Sequence, residues 1–248
     1  MVSTQEEYAL SLLPSLLINP LRLPGVTCVV CTEPTGGSLR CRVCESHIAR
    51  WGSELADRVV PLTYASDQVS RQVRYDLRQY KDGERAGGVA GVRLSYVVWY
   101  SIYRHGRCVT VASDSRPTVV IPVPSGAAPR RLGHPLLELA KYFALPIVTP
   151  VRTRPARARE VDPESLRIDD DLRGQHVIVF DDTWTTGSSA QATAVAARRA
   201  GAKEVTIMVI GRWVNGSWAP TGELFAAAPP PQWRPDLCPV TGTLCVAP

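Results

Sequence analysis

Two stretches of this chain hold residues whose types and spacing could do chemistry. In the first, Asp181 and Asp182 stand side by side at the end of the apolar run VIVF. Five residues on from Asp181, the small-residue run Thr186, Gly187, Ser188, Ser189 opens an alanine-rich segment. Two adjacent carboxylates cannot both be buried unpaired; neighbouring hydroxyls, such as those of a sugar, would satisfy them as donors. Small residues let backbone N–H groups close around a phosphate, and a helix N-terminus adds partial positive charge. The carboxyl end of a strand is where open α/β sheets bind ligands. The stretch carries neither G-x-G-x-x-G nor G-K-[ST]. A strand–turn–helix whose polar residues only cap the helix, with Ser188 at the N-cap, would use the same residues.

The second stretch is Cys28-x2-Cys31-x9-Cys41-x2-Cys44, two CxxC pairs separated by the Gly-containing turn TEPTGGSLR. Each pair can place two thiolates on one tetrahedral ion, so a structural zinc is expected. His47 is read as a helix residue. Cys108, Cys238 and Cys245 are left over. Cys238 and Cys245 bracket PVTGTL and could supply half of a second site, but with no clear partner for them ordinary packing is expected.

These residues need elements to position them. Helical spacing predicts helices over residues 6–17, 67–80, 92–103, 135–143 and 188–200. Gly201 is suited to end the last of them. Short apolar runs predict strands over 59–64, 118–123, 147–151, 176–180 and 205–210. Strands alternating with helices imply an α/β fold, a mostly parallel sheet with helices on both faces. Residues 152–173 lack a clear period and read as a long mobile loop, the kind that often acts as a lid. From Trp213 onward the chain reads as an extended tail. The expected organisation is an N-terminal helix and knuckle over 1–58, the α/β domain over 59–212 and a Pro/Trp-rich tail over 213–248.

The chain has 248 residues and a formal net charge of +5. Much of the excess lies in 130–159, where Arg130, Arg131, Lys141, Arg152, Arg154, Arg157 and Arg159 face only Glu138. Such a field suits an anionic small molecule or nucleic acid, although a solvated basic loop has the same composition. No apolar stretch approaches the ~20 residues of a membrane span. The first residues carry acids where an export signal has basic residues, so a cytoplasmic protein is expected, and in a reducing compartment paired cysteines suit metal better than disulfides.

The run VIVFDDTWTTGSS resembles the DD-x-x-TTG-x-[ST] signature of the type I phosphoribosyltransferases. Together with the four-cysteine knuckle, QYKDG, IPVPSGAAPRR and the RTRP loop, it is similar to the layout of the ComF-like family. The resemblance runs from Cys28 to about Trp213. It implies a type I phosphoribosyltransferase fold behind a small zinc knuckle, and Mg-dependent transfer of a phosphoribosyl group from phosphoribosyl diphosphate to an unknown acceptor. Asp181 and Asp182 would contact the ribose hydroxyls; Thr185, Thr186, Gly187, Ser188 and Ser189 would hold the 5-phosphate. In the run VVIPVPSGAAPRR, Ser125 and Gly126 could present backbone N–H groups to a leaving diphosphate, and Arg130 or Arg131 could neutralise its charge. Arg157, in the basic segment 152–160, joins Asp181 and Asp182 in the expected catalytic set. Family members are linked to DNA uptake in some bacteria. The family's R-G-x-N-Q and P-Q-x-x-L elements are replaced here by Leu132-Gly133-His134-Pro135 and Pro155-Ala156-Arg157, and Trp184 stands where an aliphatic or small residue is usual. Two other functions therefore stay open: a sensor of phosphoribosyl diphosphate or nucleotide without turnover, and a nucleic-acid-binding module. Few aromatic residues near the knuckle support the latter.

Overall fold

The computed structural model describes residues 4–68, 70–81, 88–124, 135–227 and 233–245. The chain opens with helix α1 (Thr4–Leu12), where Pro14 converts the expected helix over 6–17 into a 3-10 turn, Leu13–Ser15. The knuckle follows and runs into α2 (Arg42–Trp51). Strand β1 (Arg58–Ala65) leads to α3 (Arg71–Gln79), shorter than the expected 67–80. Helix α4 (Val89–Val111) extends well beyond the expected 92–103, because Ser101, His105 and Val109 carry its buried stripe onward at four-residue spacing. A polar residue on that stripe, His105, hid the continuation from an apolar count.

Strand β2 (Val119–Pro122), α5 (Pro135–Ala140) and a 3-10 turn over Lys141–Phe143 come next. The strand expected over 147–151 is reduced to a parallel bridge from Ile147 to Val120. Pro146 and Pro150 flank it and have no N–H for a ladder. The stretch expected to be a mobile loop is instead built: β3 (Val151–Arg152) pairs antiparallel with β4 (Leu166–Arg167) around a 3-10 turn, Pro163–Ser165. The unit β5 (His176–Trp184), α6 (Ser188–Arg199), β6 (Glu204–Trp213) completes the main sheet. The tail contains a helix, α7 (Ala219–Ala227), where an extended segment was expected. Leu224 and Phe225 of this helix are buried, and Phe225 packs edge-on against Tyr64 at 5.5 Å between ring centroids.

The sheet has the order β1-β6-β5-β2 with every pair parallel. Successive side chains on each strand therefore feed two apolar layers. Val60, Ile178, Phe180, Met208 and Ile210 face α3, α4 and α5, whereas Val59, Val177, Val179, Ile207 and Val209 face α6 and the knuckle. Cys28, Cys31 and Cys44 belong to this second layer. Among the described residues no helix is long and apolar enough to cross a membrane.

Candidate functional site

A cleft of ≈ 620 Å³ opens at the carboxyl ends of the central strands. Its lining includes Asp181, Asp182, Thr183, Thr185 and Ser189, and the cationic side chains of Arg74, Arg78 and Lys81. β5 does not stop at Phe180 as expected. It continues through both acids, with Asp181 opposite Val209 and Thr183 opposite Gly211. Alternation then separates the pair. Asp182 shares the face of Phe180, toward α3, and Asp181 the face of Val179.

Asp182 is buried, but it is not the unpaired acid the sequence suggested. Tyr80 donates its hydroxyl hydrogen to Asp182 Oδ2, and Lys81 Nζ lies 2.8 Å from Oδ2 and 3.1 Å from Oδ1. Both partners stand just past the end of α3. That helix is fixed by Asp76, a buried carboxylate that accepts two bonds from Arg93 of α4, at 2.7 and 2.6 Å, and one from Gln72 at 2.9 Å. Gly211 lets α3 come close: a Cβ there would stand 2.5 Å from Leu77 Cδ1. Arg74 and Arg78 fall at i and i+4 on one face of α3, and Lys81 follows two residues past its end. Arg74 also lies over the Trp213 ring at 5.0 Å.

Asp181 accepts a bond from the backbone N–H of Asp182 at 2.9 Å. Burial, and after it the charge of Asp182, pushes its carboxyl up from 3.8 to about 8. In the free protein at neutral pH, Asp181 is therefore largely protonated. Ligand hydroxyl groups or a cation would favour the ionised form.

The loop after β5 turns at Gly187, which sits at φ 76° in the left-handed region and serves as the N-cap of α6. The steric constraint comes from the protein itself: a Cβ on Gly187 would stand 2.1–2.4 Å from three indole carbons of Trp184. Trp184 is thus the floor of the turn. Thr185 and Ser189 face the cleft. Thr186 and Ser188 hydrogen-bond each other at 2.9 Å and brace the loop.

Of the diphosphate candidates, Ser125, Gly126 and Arg130 lie outside the described residues. Arg152 reaches their edge, with Nη2 donating to the Pro124 carbonyl at 3.0 Å. Arg154 is held by Asp162 through two bonds of 2.7 Å. Arg157 is not among the residues lining the cleft. It pairs with Glu160 at 3.7 Å, and its N–H donates to Asp162 Oδ2 at 3.2 Å.

The knuckle brings the Sγ atoms of Cys28, Cys31, Cys41 and Cys44 within 4.8 Å of one another, and all four cysteines are free of disulfides. Cys31 and Cys41 are 3.8 Å apart at sulfur, matching the ~3.7 Å edge of a tetrahedron with ~2.3 Å Zn–S bonds. The donor set fits zinc. The knuckle is tied to the phosphate loop by one buried side chain. Arg212 donates Nε to the Cys31 carbonyl at 3.1 Å and Nη1 to the carbonyls of Trp184 and Thr185 at 3.0 and 3.2 Å, and it pairs with Glu33.

Lys81 and Arg78 line the cleft, Tyr80 bonds Asp182 and Arg212 bonds the phosphate loop, and none of these four was among the candidates expected from the sequence. The basic stripe of α3 and a lone arginine inside the apolar run VTIMVIGRW were the available signals.

No protein-family model and no curated protein matches the chain. Solved structures do. The chain is similar to a purine phosphoribosyltransferase from Pyrococcus horikoshii Ot3 at 17% identity and TM-score 0.31, over 49% of this chain and 84% of that one. An orotate phosphoribosyltransferase from Aeropyrum pernix matches at 23% identity and TM-score 0.33, over 58% and 68% of the two chains. A hypoxanthine phosphoribosyltransferase from Staphylococcus aureus matches at 13% identity and TM-score 0.32, over 47% and 72%.

Proposed function

We propose that the cleft binds phosphoribosyl diphosphate and that the protein, with a type I phosphoribosyltransferase fold, transfers the phosphoribosyl group to an acceptor. One observation carries this reading. Asp181, Asp182, Thr185 and Ser189 line a single cleft together with the cations Arg74, Arg78 and Lys81. Acids beside hydroxyls, a helix N-terminus and a basic wall suit a molecule with sugar hydroxyls and phosphates at its two ends.

In this reading Asp181 and Asp182 accept hydrogen bonds from the ribose hydroxyls, with Lys81 and Tyr80 orienting Asp182. Thr185 and Ser189 donate directly to the 5-phosphate, while Thr186, Gly187 and Ser188 shape the loop around it. Ser125, Gly126 and Arg130 take the diphosphate. The basic wall stabilises charge that builds on the departing diphosphate. The donors of the cleft floor are hard oxygens, the Asp181 carboxylate with the Thr183 and Thr185 hydroxyls, and these fit magnesium. When bound, that ion neutralises phosphate charge. Arg157 would have to leave Glu160 to take part. Cys28, Cys31, Cys41 and Cys44 would hold a structural zinc that fixes the fold of the knuckle.

Calorimetry with phosphoribosyl diphosphate and Mg²⁺, followed by an acceptor screen that measures diphosphate release, tests the proposal. Saturable binding that Asp181→Asn with Asp182→Asn abolishes, plus turnover on some acceptor, supports it. Binding without turnover would make the protein a sensor, and no binding would overturn the assignment of the cleft.

A further inference from the structure

The cysteines outside the knuckle do not simply pack. His105 and Cys108 lie three residues apart on α4, hence on one face. Cys238 and Cys245 lie in the tail, more than a hundred residues later. The structure brings one ligand atom from each of the four within 4.8 Å of all the others. His105 Nδ1 is 3.1 Å from Cys245 Sγ, and Cys108 Sγ is 3.6 Å from Cys245 Sγ. The sulfur–sulfur distance is close to the ~3.7 Å edge of a tetrahedral ion bound at ~2.3 Å by sulfur, and the nitrogen–sulfur distance is a few tenths of an ångström inside the ~3.5 Å edge that a ~2.0 Å nitrogen bond would set.

We propose that His105, Cys108, Cys238 and Cys245 form a second, structural zinc site that clamps the tail to α4. The backbone is arranged for it. The tail folds into a narrow hairpin, with an antiparallel bridge between Leu237 and Leu244. The N–H of Cys238 donates to the Thr243 carbonyl, the N–H of Gly242 to the Cys238 carbonyl and the N–H of Cys245 to the Asp236 carbonyl, each at 2.8 Å. Thus the two thiols at the mouth of the hairpin turn the same way, like the two of a CxxC pair. The helix supplies the other half, a histidine and a cysteine one turn apart.

The surroundings favour an ion over a packed cluster of thiols. His105 and Cys238 are buried, and all three cysteines are free of disulfides. Three thiolates and an imidazole are soft to borderline ligands, which select zinc over magnesium or calcium. Four protein ligands leave no position open for water or substrate, so the role is structural. Clamping the tail also has an evident use. Trp233 packs against Tyr100 of α4 at 5.4 Å between ring centroids, and Cys238 and Val240 belong to the same apolar layer as α3 and α4. Arg234 N–H donates to Asn19 Oδ1 at 2.7 Å, and Arg22 donates to the Pro239 carbonyl at 3.2 Å. An ion here would hold together the first turn region, the longest helix and the tail.

The test is elemental analysis of the full chain purified without added zinc or chelator. One ion per four-ligand set predicts about two zinc ions per chain, falling to about one in Cys245→Ser and likewise to about one in Cys28→Ser. A wild-type content of one ion that Cys245→Ser leaves unchanged would overturn the site. Alkylation of the wild-type protein decides the matter without any variant. Cys108 and Cys245, both partly exposed, should resist iodoacetamide until a chelator is added and react together afterwards. Equal reaction rates with and without chelator, or a mass lighter by two hydrogens that only a reductant restores, would show free thiols or a disulfide in place of the ion.

Discussion

Lys81 Nζ sits 2.8 Å from Asp182 Oδ2, joining the chain just past α3 to strand β5 at the cleft. The contact makes α3 part of the site, and it gives Asp182 one orientation before any ligand arrives. Lys81→Met should weaken phosphoribosyl diphosphate binding tenfold to a hundredfold, since a hydrogen bond to a charged group contributes about 1.5–3 kcal/mol. Lys81→Arg should keep most of the affinity. Calorimetry on both variants checks this; equal affinity in Lys81→Met would remove Lys81 from the site.

The raised carboxyl of Asp181 has a definite sign in a pH experiment. The unfolded chain loses this proton near 3.8, and the folded chain near 8. Between those values the folded state binds more protons, so stability falls as pH rises from about 4 to about 8 and levels off above. Asp181→Asn should flatten that limb in urea unfolding curves. In the same variant, the proton released when phosphoribosyl diphosphate and magnesium bind at pH 7 should vanish. Calorimetry in buffers of different ionisation enthalpy reads that proton directly.

Gly187→Ala should destabilise the protein and not merely block a ligand, because the new methyl would collide with the Trp184 indole. A left-handed backbone adds about 1–2 kcal/mol for a residue with a Cβ. In a Trp184→Leu background the collision is gone, so the second substitution should cost less than it does alone. A double-mutant cycle by urea unfolding measures the difference, and strict additivity would mean that the indole is not the obstacle.

Arg212→Met should leave the partly buried carboxylate of Glu33 without its partner, a loss of about 3 kcal/mol, the lower end of the range for breaking a buried pair. Adding Glu33→Gln should recover part of it. Because Arg212 bonds both the Cys31 and Trp184 carbonyls, stripping zinc from the knuckle of the wild type should also weaken phosphoribosyl diphosphate binding. In the double variant, chelation and binding should separate. Thermal melts with and without chelator, paired with ligand titrations, report both effects.

The fold and the floor of the site were legible where chemistry and periodicity coincide. The run from His176 to Ser189 announces strand, acids, turn and helix in order, and the CxxC pairs announce their own cluster. The basic wall was harder to see. Arg74 and Arg78 share a face, with Lys81 just past its end, only once α3 is placed, and Tyr80 looked like the last apolar residue of a helix. The length of α4 was hidden by His105, which reads as polar in a count of apolar residues yet is buried. Proline decided two errors, ending α1 early and thinning the strand expected near Ile147. The convergence of Cys108 with Cys238 and Cys245 depends on a tertiary contact that no local pattern encodes.

The place of Trp233, Cys238 and Val240 in the layer shared with α4 bears on how the chain is made. Tyr100 leaves the ribosome long before Trp233 does, so a nascent chain presents the apolar flank of its longest helix uncovered while more than a hundred further residues are still being added. At roughly 5–20 residues per second, that interval lasts on the order of ten seconds, during which α4 offers a docking face to whatever is near.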